Sequence, residues 1–86
     1  MDNWRERIVF NPDILVGKPT VKGTRLSVEL VLARLAVDLD LEELFAGYPR
    51  LTREDVQACL AYAVDLVEAE TDRMFAARGI TRDVEL

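Results

Sequence analysis

Apolar and polar positions along this chain change their spacing near residue 27. Before it, apolar residues come in short runs separated by turn formers. Ile8-Val9-Phe10 is a β-type run stopped by Asn11-Pro12. Ile14-Leu15-Val16 is a second run, closed by Gly17 and Pro19. Val21 and Leu26 flank Lys22-Gly23, where glycine takes the positive φ of a tight turn. Residues 8–26 therefore predict two or three short strands in a small hairpin sheet.

From Ser27 onward the spacing is helical. Ser27 is an N-cap, and Val28, Val31, Leu32, Leu35 and Ala36 follow the i, i+3, i+4, i+7, i+8 rhythm of one face. Val37-Asp38-Leu39 break it. Asp40 is a second N-cap with Glu43 at the capping-box position, and Leu41, Leu44, Phe45 and Tyr48 line this short helix until Gly47 and Pro49 end it. Thr52 is the third N-cap, with Asp55 at the box position and Glu54 beside it, where the helix dipole favours acids. Val56, Cys59, Leu60, Ala63 and Val67 are the predicted core face. This helix runs to Arg78, with Gly79 as its stop, a length of ~39 Å at the α-helical rise. Two short helices cannot cover it, and the excess carries its own stripe of Val64, Val67, Thr71, Met74 and Phe75. Residues 80–86 read as a loose tail.

The fold class is thus mainly α. A trihelical, helix-turn-helix-like core (winged-helix or homeodomain-like) follows a small N-terminal β-hairpin, and its third helix is extended. One domain spans residues 1–86, with the β element over 8–26, the core over 27–67 and the extension and tail over 68–86.

Composition narrows the function. With 86 residues, 50% hydrophobic and 31% charged, the chain is one small globular domain. A domain this size is marginally stable unless it gains a partner. Nothing approaches the ~20 apolar residues of a membrane span, and the N-terminus lacks a signal core, so the expectation is a cytoplasmic protein with no membrane association. Cys59 is alone and histidine is absent, which excludes an internal disulfide, His-based nucleophile systems and the usual zinc sites. Cys59 reads as a buried, inert thiol. Asp38, Asp40, Glu42 and Glu43 lack the spacing of a calcium loop and are explained by capping. Lys18 lacks a phosphate-loop spacing. The expectation is a non-enzyme without cofactor or metal.

Charge is uneven within the net −5: residues 1–34 hold six bases and four acids, residues 35–86 five bases and twelve acids. Arg50, Thr52, Arg53 and Gln57 gather at the start of the third helix, where a recognition helix meets a major groove, and Lys18, Lys22 and Arg25 are candidate phosphate contacts. Glu54 and Asp55 at the same end oppose phosphate, and a capped helix with solvated charges is the alternative. The acidic half suits a basic protein partner or plain solubility. Trp4, Met74 and Phe75 have no evident place in the core. They read as satellite packing, with Trp4 on the long helix, or as an interface. The stripe Val64, Val67, Met74 and Phe75 predicts a homodimer.

Several stretches together resemble the "domain of unknown function 433" family. They are Gly17-Lys18-Pro19-Thr20-Val21-Lys22-Gly23-Thr24-Arg25-Leu26-Ser27-Val28, Glu42-Glu43-Leu44, Tyr48-Pro49-Arg50-Leu51-Thr52-Arg53-Glu54-Asp55-Val56 and Leu60-Ala61-Tyr62-Ala63, and they fall between Ile8 and Ala63. Asp38 and Asp40 stand where the family usually has a glycine and a serine. The resemblance implies a helix-turn-helix-like domain with a small β element. It also implies an antitoxin of a VapBC-like type II toxin–antitoxin module, one that neutralises a PIN-like ribonuclease toxin by direct binding and represses its own promoter through operator DNA. A stand-alone DNA-binding regulator and a structural dimer module are the rival classes. Gly23, Thr24 and Arg25 then read as a turn glycine, a strand threonine and an arginine tied to the acidic half. A PIN-type site is a carboxylate cluster, so Arg73, Arg78 and Arg82, with Met74 and Phe75 as apolar anchors, are the candidate toxin-binding residues.

Overall fold

The computed structural model describes residues 3–78. A 3-10 turn at Trp4–Glu6 leads into β1 (Ile8–Val9), and a second 3-10 turn at Leu15–Gly17 leads into β2 (Thr20–Val21). Three α-helices follow: α1 (Val28–Val37), α2 (Leu41–Gly47) and α3 (Arg53–Arg78). β1 and β2 form a two-stranded antiparallel sheet with Ile8 opposite Val21 and Val9 opposite Thr20. A single bridge joins Thr20 to Ser27. The class is the one the periodicity predicts.

Each helix starts where a capping side chain satisfies an otherwise unpaired N–H. Ser27 Oγ accepts from the Leu30 N–H at 3.0 Å and Asp40 Oδ1 from the Glu43 N–H at 3.2 Å. At α3 the box is reciprocal: Thr52 Oγ1 accepts from the Asp55 N–H at 3.1 Å, and Asp55 Oδ2 accepts from the Thr52 N–H at 3.0 Å.

The core joins the sheet to all three helices. Ile8 and Val21 from the strands meet Val28, Val31 and Leu35 of α1, Leu44 of α2, and Val56, Ala58 and Cys59 of α3, with Leu51 from the α2–α3 turn. Full burial of a valine or leucine is worth ~1.5–3 kcal/mol, so the two short strands contribute well beyond their few ladder bonds. Thr20 is also fully buried, and its hydroxyl donates to the Lys18 carbonyl at 2.7 Å.

Three expectations change. The Ile14-Leu15-Val16 run is not a strand. Asn11 Oδ1 accepts from the Asp13 N–H and the Asn11 carbonyl from the Ile14 N–H, which turns the chain before pairing can start. Leu15 and Val16 then take φ +52° and +57°, and Val16 stands almost wholly in solvent. Thr24 is likewise in a turn rather than a strand: its hydroxyl donates to the Val21 carbonyl and accepts from the Leu26 N–H. Gly23 does hold the left-handed corner, at φ +81°. Third, the packed face of α3 is rotated from the one expected. Ala58 and Tyr62 join Val56 and Cys59 against the domain, whereas Leu60 and Val67 are exposed.

Candidate functional site

Two surfaces collect the chemistry flagged in the sequence. The first is the outward side of α3. Asp55, Cys59 and Tyr62 mark the side that packs. Leu60, Val64, Val67 and Met74 lie roughly 140° around the helix from it at ~100° per residue. These four are 47%, 54%, 64% and 46% exposed, so the stripe is a surface and not an extension of the core. Phe75 is half-buried. The Leu60–Val64 end forms one wall of a groove of about 420 Å³, with Trp4, Asn3 and Gln57 also lining it.

Trp4 is held firmly. Its ring meets Tyr62 edge-on at 4.7 Å and Phe10 at 6.4 Å, its indole N–H donates to Asp65 Oδ2, and the Arg5 guanidinium lies 4.4 Å from its ring centre. Trp4 therefore does pack on the long helix. Its pairing with Phe10 and Tyr62 is not legible in the sequence, because aromatic partners from residues 4, 10 and 62 leave no local spacing to detect. The candidate toxin-binding residues fall at the far end of α3. Arg73 is ion-paired with Glu70 one turn back, and Met74 is exposed. Arg78 is the last residue of α3, and Arg82 lies outside the described residues.

The second surface is the α2–α3 turn against the Gly23 corner. Arg50 Nη1 donates to the Gly23 carbonyl at 3.4 Å, which brings Arg50 and Arg25 to one open groove of about 510 Å³ with Tyr48 and Leu26. Arg53 and Gln57 are exposed on the first turns of α3. Thr52 is occupied by its cap bonds. Lys18 lies on another side, 3.7 Å from Glu29, and Lys22 lines a small recess with Glu6, Arg7 and Asp55. The seven candidate DNA contacts are therefore not one patch: Arg25 and Arg50 converge, Arg53 and Gln57 sit beside them in sequence on α3, and Lys18 and Lys22 are set apart. The tie between basic and acidic halves is made by Arg7, whose Nη1 is 3.2 Å from Asp55 Oδ1. Sequence reasoning assigned it to Arg25. Arg7 closes the Trp4–Glu6 turn, and no local spacing points to its partner 48 positions away.

Cys59 has no exposed surface, and burial, followed by the nearby Asp55 charge, pushes its thiol up to about 12. It is neutral and inert at physiological pH. Asp38, Asp40 and Glu43 bring carboxylate oxygens within 4.8 Å of one another, all exposed. Their hydrogen bonds run to backbone: Asp38 Oδ1 accepts from the Asp40 N–H, and Asp40 caps α2. No described helix is long and apolar enough to cross a membrane.

These features define a small helix-turn-helix-like domain with a two-stranded N-terminal sheet and an overhanging third helix. The chain belongs to the family described as "Protein of unknown function (DUF433)", which matches residues 8–63. A crystal structure of a DUF433 member protein from Anabaena variabilis is similar to it, with a TM-score of 0.66 and 31% identity, over 81% of this chain and 68% of that one. The uncharacterized protein y4eO of Sinorhizobium fredii (strain NBRC 101917 / NGR234) is 37% identical over 59 residues, which are 69% of this chain. That match spans only 27% of the length of y4eO. The family match ends at Ala63, so the overhang of α3 lies beyond it.

Proposed function

We propose that this chain is the antitoxin of a type II toxin–antitoxin module, neutralising a PIN-like ribonuclease by direct binding. The reading rests on the family resemblance, and one observation carries it: α3 continues from Ala63 to Arg78, about 24 Å at the helical rise, beyond Tyr62, the last α3 hydrophobic packed against the core among the described residues, with Asp65 reaching back to the Trp4 indole. That length bears exposed Val64, Val67 and Met74, then Arg73 and Arg78. An exposed apolar stripe that joins no part of its own domain's core is suited to a partner. The arginines beyond it suit a cleft of metal-binding carboxylates. Before the nuclease binds, the Val64, Val67, Met74 and Phe75 stripe pairs with a second copy.

Operator binding is the secondary part of this reading, and the same surface would serve a stand-alone regulator. The convergence of Arg25 and Arg50, with Arg53 exposed on the first turn of α3, favours it, whereas Gln57 lines the Trp4 groove. The net charge of −5 weakens approach to phosphate. Co-purification with the product of the adjacent gene, followed by a ribonuclease assay, tests the proposal. A stable complex with suppressed activity is expected. An adjacent product that neither binds nor cleaves RNA would overturn it.

A further inference from the structure

The outward stripe of α3 has a regular spacing. Leu60, Val64, Val67, Thr71 and Met74 are separated by steps of four, three, four and three residues, the heptad rhythm of a coiled-coil seam. The seam runs along one continuous helix, with Leu60, Val64, Val67 and Met74 exposed and Thr71 half-buried. It opens at its Leu60 end into the groove walled by Trp4, so a rod lying on the seam also has a seat against the domain. Its borders are acidic. Glu54, Asp65, Glu68 and Asp72 fall along one side at ~100° per residue, Asp65 with one oxygen on the Trp4 indole, and Glu70, paired with Arg73, lies on the other. Between Arg53 and Arg73, α3 has no lysine or arginine.

We infer that this seam takes an amphipathic helix whose apolar positions are flanked by lysine or arginine, supplied by the protein partner. The inference deepens the antitoxin reading and rests on it for the partner's identity, but the recognition chemistry stands on α3 alone. Carboxylates bordering a seam select the partner by charge: basic flanks pair with them, and acidic flanks repel. A second copy would set two acidic helices together, so self-association and heterologous binding have opposite salt dependence. Screening strengthens the first and weakens the second.

The test uses the full chain and two synthetic three-heptad peptides with isoleucine and leucine at the seam positions. Lysine flanks the seam in one peptide and glutamate in the other. Trp4, the single tryptophan, lines the groove and reports binding by fluorescence, with calorimetry in parallel. The lysine peptide is expected to bind at least about tenfold tighter than the glutamate peptide. The difference should collapse near 1 M salt, where the screening length falls to ~3 Å. Val67→Glu should lose about tenfold or more for the lysine peptide, while Val37→Glu, at an exposed position on α1, should bind like the parent. Equal affinity for both peptides, no binding of either, or undiminished binding by Val67→Glu would overturn the inference. So would a homodimer that the lysine peptide cannot displace at low salt. If a nuclease is inhibited while these results fail, the antitoxin reading stands without this seam. If the peptide results hold and no nuclease is inhibited, the seam stands and the antitoxin reading falls.

Discussion

Replacing Asp55 by alanine should be among the most damaging single changes at a charged position. Its carboxylate is nearly buried, accepts from the Thr52 N–H at 3.0 Å and lies 3.2 Å from the Arg7 guanidinium. It thus caps α3 and anchors the segment leading into β1 in one contact set. Loss of the capping half costs about 1 kcal/mol. Loss of the Arg7 bond adds about 0.5–1.5 kcal/mol, discounted because the Arg7 side chain is 39% exposed and water can replace its partner. The sum is about 2 kcal/mol, a substantial part of the ~4–13 kcal/mol a domain of this length holds. Thermal unfolding followed by circular dichroism should show a fall of about 8–16 °C. A cycle with Arg7→Met isolates the ion pair and should give a coupling of about 0.5–1 kcal/mol. A drop of under about 3 °C for Asp55→Ala, or zero coupling to Arg7, would refute this account of how the N-terminal segment is held.

Cys59 should resist thiol reagents in the folded protein and react on unfolding. Because its folded pKa is raised to about 12 from 9.0, the unfolded chain loses the proton first. Stability should therefore fall as pH rises from about 9 toward 12, by up to ~1.4 kcal/mol per unit, and Cys59→Ala should flatten that alkaline slope. Gly23→Ala should cost about 1 kcal/mol by denaturant melt: its φ is +81° and a Cβ there would meet nothing within 4 Å, so the cost is backbone conformation alone. For operator DNA, Arg50→Ala and Arg53→Ala should each weaken binding, and loss of a phosphate contact should flatten the salt slope by ~1 in a shift assay. Tight, salt-insensitive binding by the unpartnered protein would contradict the charge argument.

The helices were legible because capping and periodicity act locally. Ser27, Asp40 and Thr52 each announce a start, and the structure places all three as N-caps. The sheet was legible only as a tendency. Two-residue strands are set by the burial of Ile8 and Val21 against helices that arrive later in the chain, and Ile14-Leu15-Val16 had the same composition without such a site. The face of α3 was misassigned because two apolar stripes share it. Spacing alone cannot say that the one through Cys59 and Tyr62 meets the domain and the one through Leu60 and Val67 meets solvent. The Arg7–Asp55 contact and the Trp4–Tyr62 pair span 48 and 58 positions, beyond any local pattern.

The most direct test of the central claim is ribonuclease inhibition by graded amounts of three proteins: the full chain, a chain ending at Thr71, and Arg78→Glu/Arg82→Glu. Among the described residues the buried core ends at Cys59 and Tyr62 packs against it, all before Thr71, so the shortened chain should remain helical and unfold cooperatively. The full chain should suppress the nuclease near equimolar ratio. The other two should require on the order of 30-fold more protein, since a charge reversed against a desolvated carboxylate costs ~2 kcal/mol or more. Full inhibition by the chain ending at Thr71 would contradict the account and move the toxin-binding surface onto the sheet or the helical core.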